Sequence, residues 1–330
     1  MPNIAEVAKL AGVSTATVSK YLNGVKVKAK NAAAIDRAVK ELNFHPNDFA
    51  RGLRTNRSMS VGVILPELDN LFFTSIISSV DEILDAHGYS TFVCICRSDP
   101  DREKKKLDFL KRKKIDGLIA VPCSDTSDFV KGLEGIPVVL IDRLSGAGSC
   151  SCVLSDNFTA AYNATEKLIS NGHKRIGVLL GPDSNYTPIE RRAGFMAAMS
   201  THSLTVDENF VKSGAYRVES GYSMTKELIG LREPPTAIFA TNNELTIGAV
   251  TALSESGVTP GKDISFIGFD SDTLAKAMNP ALTVMIQDVE AIGRAAANNL
   301  LDQIRGEKAG RSQIIRIQTE LLDGKSIVVQ

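Results

Sequence analysis

Two groups of side chains in this 330-residue chain have types and spacings suited to molecular recognition. The first lies in Ser14-Thr-Ala-Thr-Val-Ser-Lys20. On a helix, Thr15, Ala16, Ser19 and Lys20 share an outer face, where hydroxyls, a methyl group and a cation can meet base edges and phosphates in a DNA groove. The second group follows a series of short apolar runs: Asn70, Phe72 and Phe73 in Asp69-Asn-Leu-Phe-Phe73, Asp142 before Arg143, Arg191, Tyr216, Asn242 before Asn243, and Asp270. Charged and amide groups that grip an edge, with aromatic rings that cover a face, suit a polyhydroxylated ring. Plainer roles stand beside these. Phe72 and Phe73 also suit a core, Asp142 and Asp270 suit helix caps, and Arg191 could pair with Glu190 or Asp183 on a solvated loop.

The elements that position the first group are short helices. Asn3 followed by Glu6 predicts a helix start in which each side chain satisfies a free amide of the other. Ile4, Val7, Ala8 and Ala11 then form an apolar stripe, and Gly12 supplies the left-handed angle that ends it. Val13 fills the corner, and Ser14 caps a second helix whose Val18 and Leu22 face back onto the first. A helical hairpin with a solvated face would share the Ala-Gly-Val-Ser tetrapeptide, but the length and order of the whole stretch favour a DNA reader. Ala34, Ile35, Ala38, Val39 and Leu42 predict a third helix, and Phe44-His-Pro-Asn47 breaks its pattern.

Charge supports this division. Residues 1–58 hold ten Lys or Arg against four acids, a net +6, inside a chain whose 38 basic and 38 acidic residues cancel. A polyanion-binding head on an oppositely charged body has this signature. Next comes Asn47-Asp-Phe-Ala-Arg-Gly-Leu-Arg-Thr-Asn-Arg57, where Asn47 or Asp48 can cap a helix of two to three turns. Below roughly 12 residues, with Gly52 inside, such a helix needs a binding partner to persist. Leu53 between Arg51 and Arg54 suits a wedge pushed into a minor groove, with phosphate contacts on both sides. A polar linker would need no leucine there.

These segments resemble the LacI/GalR family of transcriptional regulators, from Asn3 to about Leu322. The head motif stands as Ile4-Ala-Glu-Val-Ala-Lys-Leu-Ala-Gly-Val-Ser-Thr-Ala-Thr-Val-Ser-Lys-Tyr-Leu-Asn-Gly24 and the hinge as Pro46-Asn-Asp-Phe-Ala-Arg-Gly-Leu53. The resemblance implies base reading by Thr15, Ala16 and Lys20, and a DNA-binding set of Ser14, Thr15, Ala16, Thr17, Ser19, Lys20 and Asn23. In the hinge it adds Ala50, which packs on a partner hinge, Leu53, which kinks the operator, and Arg54. Two departures matter: Lys20 replaces a frequent Arg, and the third helix lacks the usual Ser cap and Thr-Arg phosphate pair, showing Lys28, Asn31 and Ala32. Anchoring then falls to Lys26, Lys28 and Lys30 and becomes more sensitive to salt. A recognition helix only ~12 Å long reads few base pairs, so a homodimer on a pseudo-palindromic double-stranded operator is expected.

The body repeats strand, turn and helix. Residues 61–65, 91–95, 117–121, 138–141, 175–180, 237–240 and 264–268 read as short parallel strands, with Ile76, Ile77, Val80, Ile83 and Leu84 on an intervening helix. The expected fold class is α/β: a three-helix helix-turn-helix head and hinge helix, then a core of two doubly wound α/β subdomains. The family resemblance implies that this core is periplasmic-binding-protein-like. The expected divisions are 1–46, 47–58 and 59–330. Within the core, an N-subdomain spans about 59–158 and 288–319, and a C-subdomain about 159–287 and 320–330. Parallel strands present functional groups at their C-terminal ends. Carried over by resemblance, the effector contacts are Asn70, Phe72, Phe73, Asp142, Arg191, Tyr216, Asn242, Asp270 and Gln287, and the effector is a sugar. Leu71 stands where many relatives have Pro, and Asn243 where Asp is usual. Glu290 and Asn299 stand where the carbon-catabolite branch shows an aromatic residue and an Arg for docking a phosphoprotein.

The rest excludes more than it adds. Cys94 and Cys96 alternate on one strand, Cys150 and Cys152 sit in a Ser-rich, loop-like stretch, and no second pair at zinc spacing appears, so inert buried thiols are expected. His173 reads as a turn residue after a helix end. There is no nucleophile elbow, phosphate-cradling loop or metal-spaced carboxylate set. A non-enzymatic protein without cofactor or metal is expected. With no apolar run of ~20 residues and no leader, it is also expected to act in the cytoplasm, away from membranes.

Overall fold

The computed structural model describes residues 2–22, 25–44, 57–123, 129, 133, 135–144, 150–183, 185–270, 272–307 and 312–330. They form two compact units, Met1–Ser58 and Met59–Gln330. The expected hinge contacts Ala50, Leu53 and Arg54, and Asn23 in the head, lie outside the described residues.

In the first unit, α1 (Ile4–Ala11), α2 (Thr15–Leu22) and α3 (Ala29–Glu41) surround Val7, Ala8, Val18, Ile35 and Ala38. The capping box is formed. Asn3 Oδ1 accepts the amides of Ala5 and Glu6, while the Glu6 carboxylate accepts the Asn3 amide. Gly12 takes φ +66°, which a side chain would oppose, and turns the chain into α2. Tyr21 donates to Asp36 at 2.7 Å, pinning α2 to α3. Phe44, expected only to end the third helix, is itself buried in this core. So small a unit needs a large apolar plug where its last helix stops.

The second unit holds β1 (Ser60–Leu65), α4 (Leu71–Ala86), β2 (Ser90–Ile95), α5 (Pro100–Arg112), β3 (Gly117–Ala120), β4 (Val138–Ile141), β5 (Ser151–Ser155), α6 (Asn157–Ser170), β6 (Ile176–Leu180), α7 (Tyr186–Thr201), β7 (Val211–Ser213), α8 (Val218–Ile229), β8 (Ala237–Ala240), α9 (Asn243–Glu255), β9 (Ser265–Phe269), α10 (Asp272–Ala277), β10 (Thr283–Gln287), α11 (Val289–Arg305), β11 (Ile314–Ile317) and β12 (Thr319–Leu322). They build two sheets of matching order, β11-β5-β4-β3-β1-β2 and β12-β10-β9-β8-β6-β7. Every pairing is parallel except β10 with β12. The inner strands β1, β3, β4, β6, β8 and β9, packed on both faces, are nearly continuous buried runs rather than alternating ones.

The chain passes from the first sheet to the second between β5 and α6, returns between β10 and α11, and passes again between β11 and β12. These passages are tied together. The Asp156 amide donates to Ile317 O at 2.8 Å, and the Ser155 hydroxyl donates to Gln287 Oε1. Helix α11 returns to pack Ile292, Ala296 and Leu300 on the first sheet, whereas α6 packs Ala160, Ala164 and Leu168 on the second.

One expectation fails here and another falls short. The Ser-rich stretch around Cys150 and Cys152 is no loop, because Ser151–Ser155 is the fully buried strand β5. Its hydroxyls find partners indoors: Ser151 Oγ accepts the Gln313 amide at 3.2 Å, and Ser155 bonds Gln287. A serine-rich strand is therefore tolerated in the interior. His173 does follow the turn that ends α6, but it is more than a turn residue. It is fully buried, with Nδ1 2.9 Å from Thr236 Oγ1 and Nε2 3.0 Å from Val328 O, and burial pulls its pKa down. The C-terminal residues close over it. Among the described residues, no helix is long and apolar enough to cross a membrane.

Candidate functional site

Asp142 follows β4 and Asp270 follows β9, equivalent places in the two sheets. Their backbones repeat each other. Each takes φ +59°, and each donates its amide to the neighbouring strand, Asp142 to Val153 O at 3.1 Å and Asp270 to Met285 O at 2.8 Å. A left-handed angle on a non-glycine residue is strained, and such strain concentrates where side chains are aimed at ligands. Among the described residues, neither aspartate makes a helix-capping hydrogen bond of the kind Asp156 and Asp288 make.

Asp142 is 7% exposed and Arg143 8%. Arg143 Nη1 donates to Asp142 Oδ2 at 2.6 Å. Thr187, at the start of α7, donates its hydroxyl to Asp142 O at 2.9 Å, linking the first sheet to a helix of the second. Asp270 accepts from Gln287 Nε2 at 2.6 Å. Burial, only partly offset by Arg191 and Gln287, pushes its carboxyl up to about 7.

Arg191 is 2% exposed on α7 and not on a solvated loop. Its Nε donates to Asn157 Oδ1 at 2.8 Å, Nη1 donates to Thr241 O, and the guanidinium stacks 4.0 Å from the centre of the Phe269 ring. The partners open to it in sequence are taken by others: Glu190 faces Arg316 and Asp183 faces Arg192. Local sequence explains the placement. Gly194, one turn on, lets α7 approach α6 so closely that a Cβ would stand 2.2 Å from Phe158 O. Arg191 then reaches Asn157 at the start of α6.

Tyr216 lies in the fields of Arg191, Asp142, Arg143 and Asp270, and burial raises its phenol pKa. Its ring lies against the backbone of Gly181, where a Cβ would stand 2.2 Å from Cζ. Among the described residues, the buried Tyr216 hydroxyl and Arg143 Nε have no hydrogen-bond partner. Buried polar atoms are nearly always paired, so two such atoms in one polar cluster point to a ligand.

The remaining expected contacts divide. Gln287 joins the cluster through Asp270 and Ser155. Phe73 is buried in the core of the first sheet and Phe72 packs on it edge to face, with ring centres 5.3 Å apart, so Phe73 takes the core role. Asn70 and Asn242 are helix caps: Asn70 Oδ1 accepts the Phe72 amide at 2.9 Å and Asn242 Oδ1 the Leu245 amide at 2.8 Å. Both amides also bond Glu244, so Asn70, after β1, reaches the start of α9. The sequence reading missed Arg143, Thr187, Asn157 and Ser155 as supporting groups. Arg143 and Thr187 stand at a strand end and a helix start, positions the same strand-end reasoning could have covered.

In the first unit Thr15, Ala16 and Lys20 are exposed on α2, and Lys26, Lys28 and Lys30 are exposed nearby. Thr17 and Ser19 are half-buried. Ser14 Oγ accepts the Thr17 amide at 3.2 Å and lies 2.9 Å from Thr17 Oγ1, so these two hydroxyls build the helix start. Lys28 precedes α3 without a side-chain cap.

A three-helix head and a body of two sheets of matching strand order define a protein of the helix-turn-helix class with an α/β core. Residues 3–47 match the family of bacterial regulatory proteins, lacI family, and residues 58–324 match the periplasmic binding proteins and sugar binding domain of LacI family. The chain is 37% identical over 335 residues, 99% of both sequences, to the HTH-type transcriptional repressor PurR of Haemophilus influenzae (strain PittEE). The lac repressor dimer bound to operator and the anti-inducer ONPF shares the fold, with TM-score 0.89, 24% identity and 99% of each chain covered. A transcriptional regulator CelR–cellobiose complex matches with TM-score 0.76 and 27% identity over 99% of this chain and 100% of that one. This chain belongs to the LacI family.

Proposed function

We propose that this chain is a transcriptional repressor that binds a pseudo-palindromic DNA operator as a homodimer in the cytoplasm, with its affinity set by a small molecule held between the two sheets of the core. The observation that carries the ligand half is the convergence of Asp142, Arg143, Arg191, Tyr216 and Asp270 from both sheets, where two buried polar atoms have no partner among the described residues. The exposed Thr15, Ala16 and Lys20 support the DNA half. Relatives of the whole length are named as repressors.

The effector best suited to this cluster is a sugar. Carboxylates and guanidinium groups serve vicinal hydroxyls, and the Tyr216 ring among them offers a flat apolar surface. The cellobiose complex formed by CelR, similar over its full length, supports the same class. The site joins the sheets through Thr187–Asp142 and Ser155–Gln287, so a ligand that binds one arrangement of the sheets better shifts the population toward it. Coupling of about 1–3 kcal/mol changes operator occupancy roughly 5- to 150-fold.

Thermal unfolding of the purified protein against a panel of mono- and disaccharides tests the effector, because tight binding to the folded state raises the midpoint. One sugar class is expected to raise it in the wild type and to leave Arg191→Ala unmoved. A midpoint raised only by purine bases or phosphorylated metabolites would replace the sugar and keep the site. An equal rise in Arg191→Ala would place the ligand elsewhere.

A further inference from the structure

A second cluster lies apart from these groups, over the C-terminal end of β1. Cys96 directly follows β2, Cys123 comes three residues after β3, and Glu103 stands in the first turn of α5. Strands β2 and β3 flank β1, so both cysteines arrive at the same sheet edge. The Cys96 and Cys123 sulfurs are 3.3 Å apart, and the sulfurs and a Glu103 carboxylate oxygen all lie within 4.8 Å of one another. Cys96 is fully buried and Glu103 is 8% exposed, while Cys123 is half-buried and offers the approach from solvent. Around them stand Ile64, Leu107, Leu110, Ala120 and Phe129.

We propose that Cys96, Cys123 and Glu103 form a binding site for one thiophilic divalent cation of the zinc type, separate from the effector site. A carboxylate and two thiols gathered among apolar side chains are costly to keep there as separate groups, and the set of two sulfurs and one oxygen matches zinc and its soft relatives. Zinc-bound sulfurs at about 2.3 Å from a tetrahedral ion stand about 3.8 Å apart, so the pair, now 3.3 Å apart, needs to open by about half an ångström. A water entering beside Cys123 completes four-coordination. The present bonding shows how the protons are held. The Cys123 thiol donates to Cys96, the Cys96 thiol donates to Leu65 O, and the Cys123 amide donates to Glu103 at 2.7 Å. Burial raises the Glu103 carboxyl, the bond from Cys123 lowers Cys96, and Cys123 itself is raised. Two thiol protons leave when the cation binds, so affinity rises with pH.

A redox pair would use the same sulfurs differently. Two thiols would lose two protons and two electrons to a peroxide or a small disulfide and gain one S–S bond. That exchange uses the two sulfurs alone, whereas a cation also takes the Glu103 carboxylate oxygen that lies within 4.8 Å of them.

Cobalt(II) titration of the reduced, chelator-treated full-length protein tests the site. The expected result is one equivalent per chain, with thiolate-to-cobalt charge transfer in the near ultraviolet that zinc removes. Glu103→Gln keeps the band and weakens affinity by roughly 10-fold or more. Cys96→Ser and Cys123→Ser lose the band. Because serine in an apolar core can destabilise the fold, thermal melts accompany the variants, and alkylation mapping is run on the wild type, where zinc should protect the half-buried Cys123. Wild-type protein that binds no cobalt, or a band that survives loss of both thiols, would overturn the proposal. So would a complete Cys96–Cys123 disulfide on mild oxidation of protein that takes up no metal.

Discussion

The two core sheets share one strand order, yet they end their equivalent strands in different chemistry. After β4 and β9 both place an aspartate at φ +59°. After β3 and β8 they diverge. The first sheet offers Cys123, gathered with Cys96 and Glu103, whereas the second offers Thr241, whose carbonyl holds Arg191, and Asn242, which caps α9. Buried apolar strands dictate the scaffold, while the residues one to three places beyond them are free to differ because they answer to ligands and caps rather than to packing. Of the polar cluster around Tyr216, the second sheet supplies Arg191, Asp270 and Gln287, and the first supplies Asp142 and Arg143.

If the second sheet carries the larger share of ligand contact, its substitutions should matter most. Arg191→Ala leaves Asn157, the Thr241 carbonyl and Asp270 without their cation, and should cost on the order of 3 kcal/mol of stability together with all ligand response, read by chemical denaturation and by the ligand-induced midpoint shift. Gly181→Ala puts a methyl group into the space of the Tyr216 ring, and about 1–3 kcal/mol is expected to go with ligand response. A variant that responds like the wild type would remove Tyr216 from the site.

Asp270→Asn sharpens the contrast between the sheets through pH. With the Asp270 carboxyl pushed up to about 7, the folded state holds a proton that the unfolded state has already released above about pH 4. Its contribution is therefore complete below about pH 4 and is lost as pH rises through about 7. The wild type should lose stability relative to Asp270→Asn across that window, measured by urea unfolding at successive pH values. A constant difference would mean that Asp270 ionises as an exposed carboxylate does. The smallest effect is expected in the head, where Lys20→Ala should weaken operator binding and lower the salt slope by about 1.

Legibility followed the range of the interaction. The capping box of Asn3 and Glu6, the turn at Gly12 and the stripe of α3 are local, and the sequence displays them directly. The apolar runs of β1, β3, β4, β6, β8 and β9 were equally plain, and with them the strand ends that pointed to Asp142 and Asp270. Strand β5 was hidden because its serines are satisfied by Gln313 and Gln287, far away in the chain. The burial of His173 was hidden for the same reason, since its partners Thr236 and Val328 are distant in sequence. Asn70 and Asn242 stood at strand ends for capping, a role that sequence alone does not separate from ligand contact. The cluster of Cys96, Glu103 and Cys123 has no motif spacing; only the packing of β2 and β3 about β1 gathers it.

The central claim is that one chain joins sequence-specific DNA binding to a ligand held between its two sheets. The most direct measurement is selection of genomic duplex fragments by purified wild type and Arg191→Ala at ordinary ionic strength, with and without the ligand that raises the wild-type midpoint. Both proteins should enrich the same palindromic fragments, and the ligand should change retention only for the wild type. No enriched fragment, or an equal change in both proteins, would contradict the account.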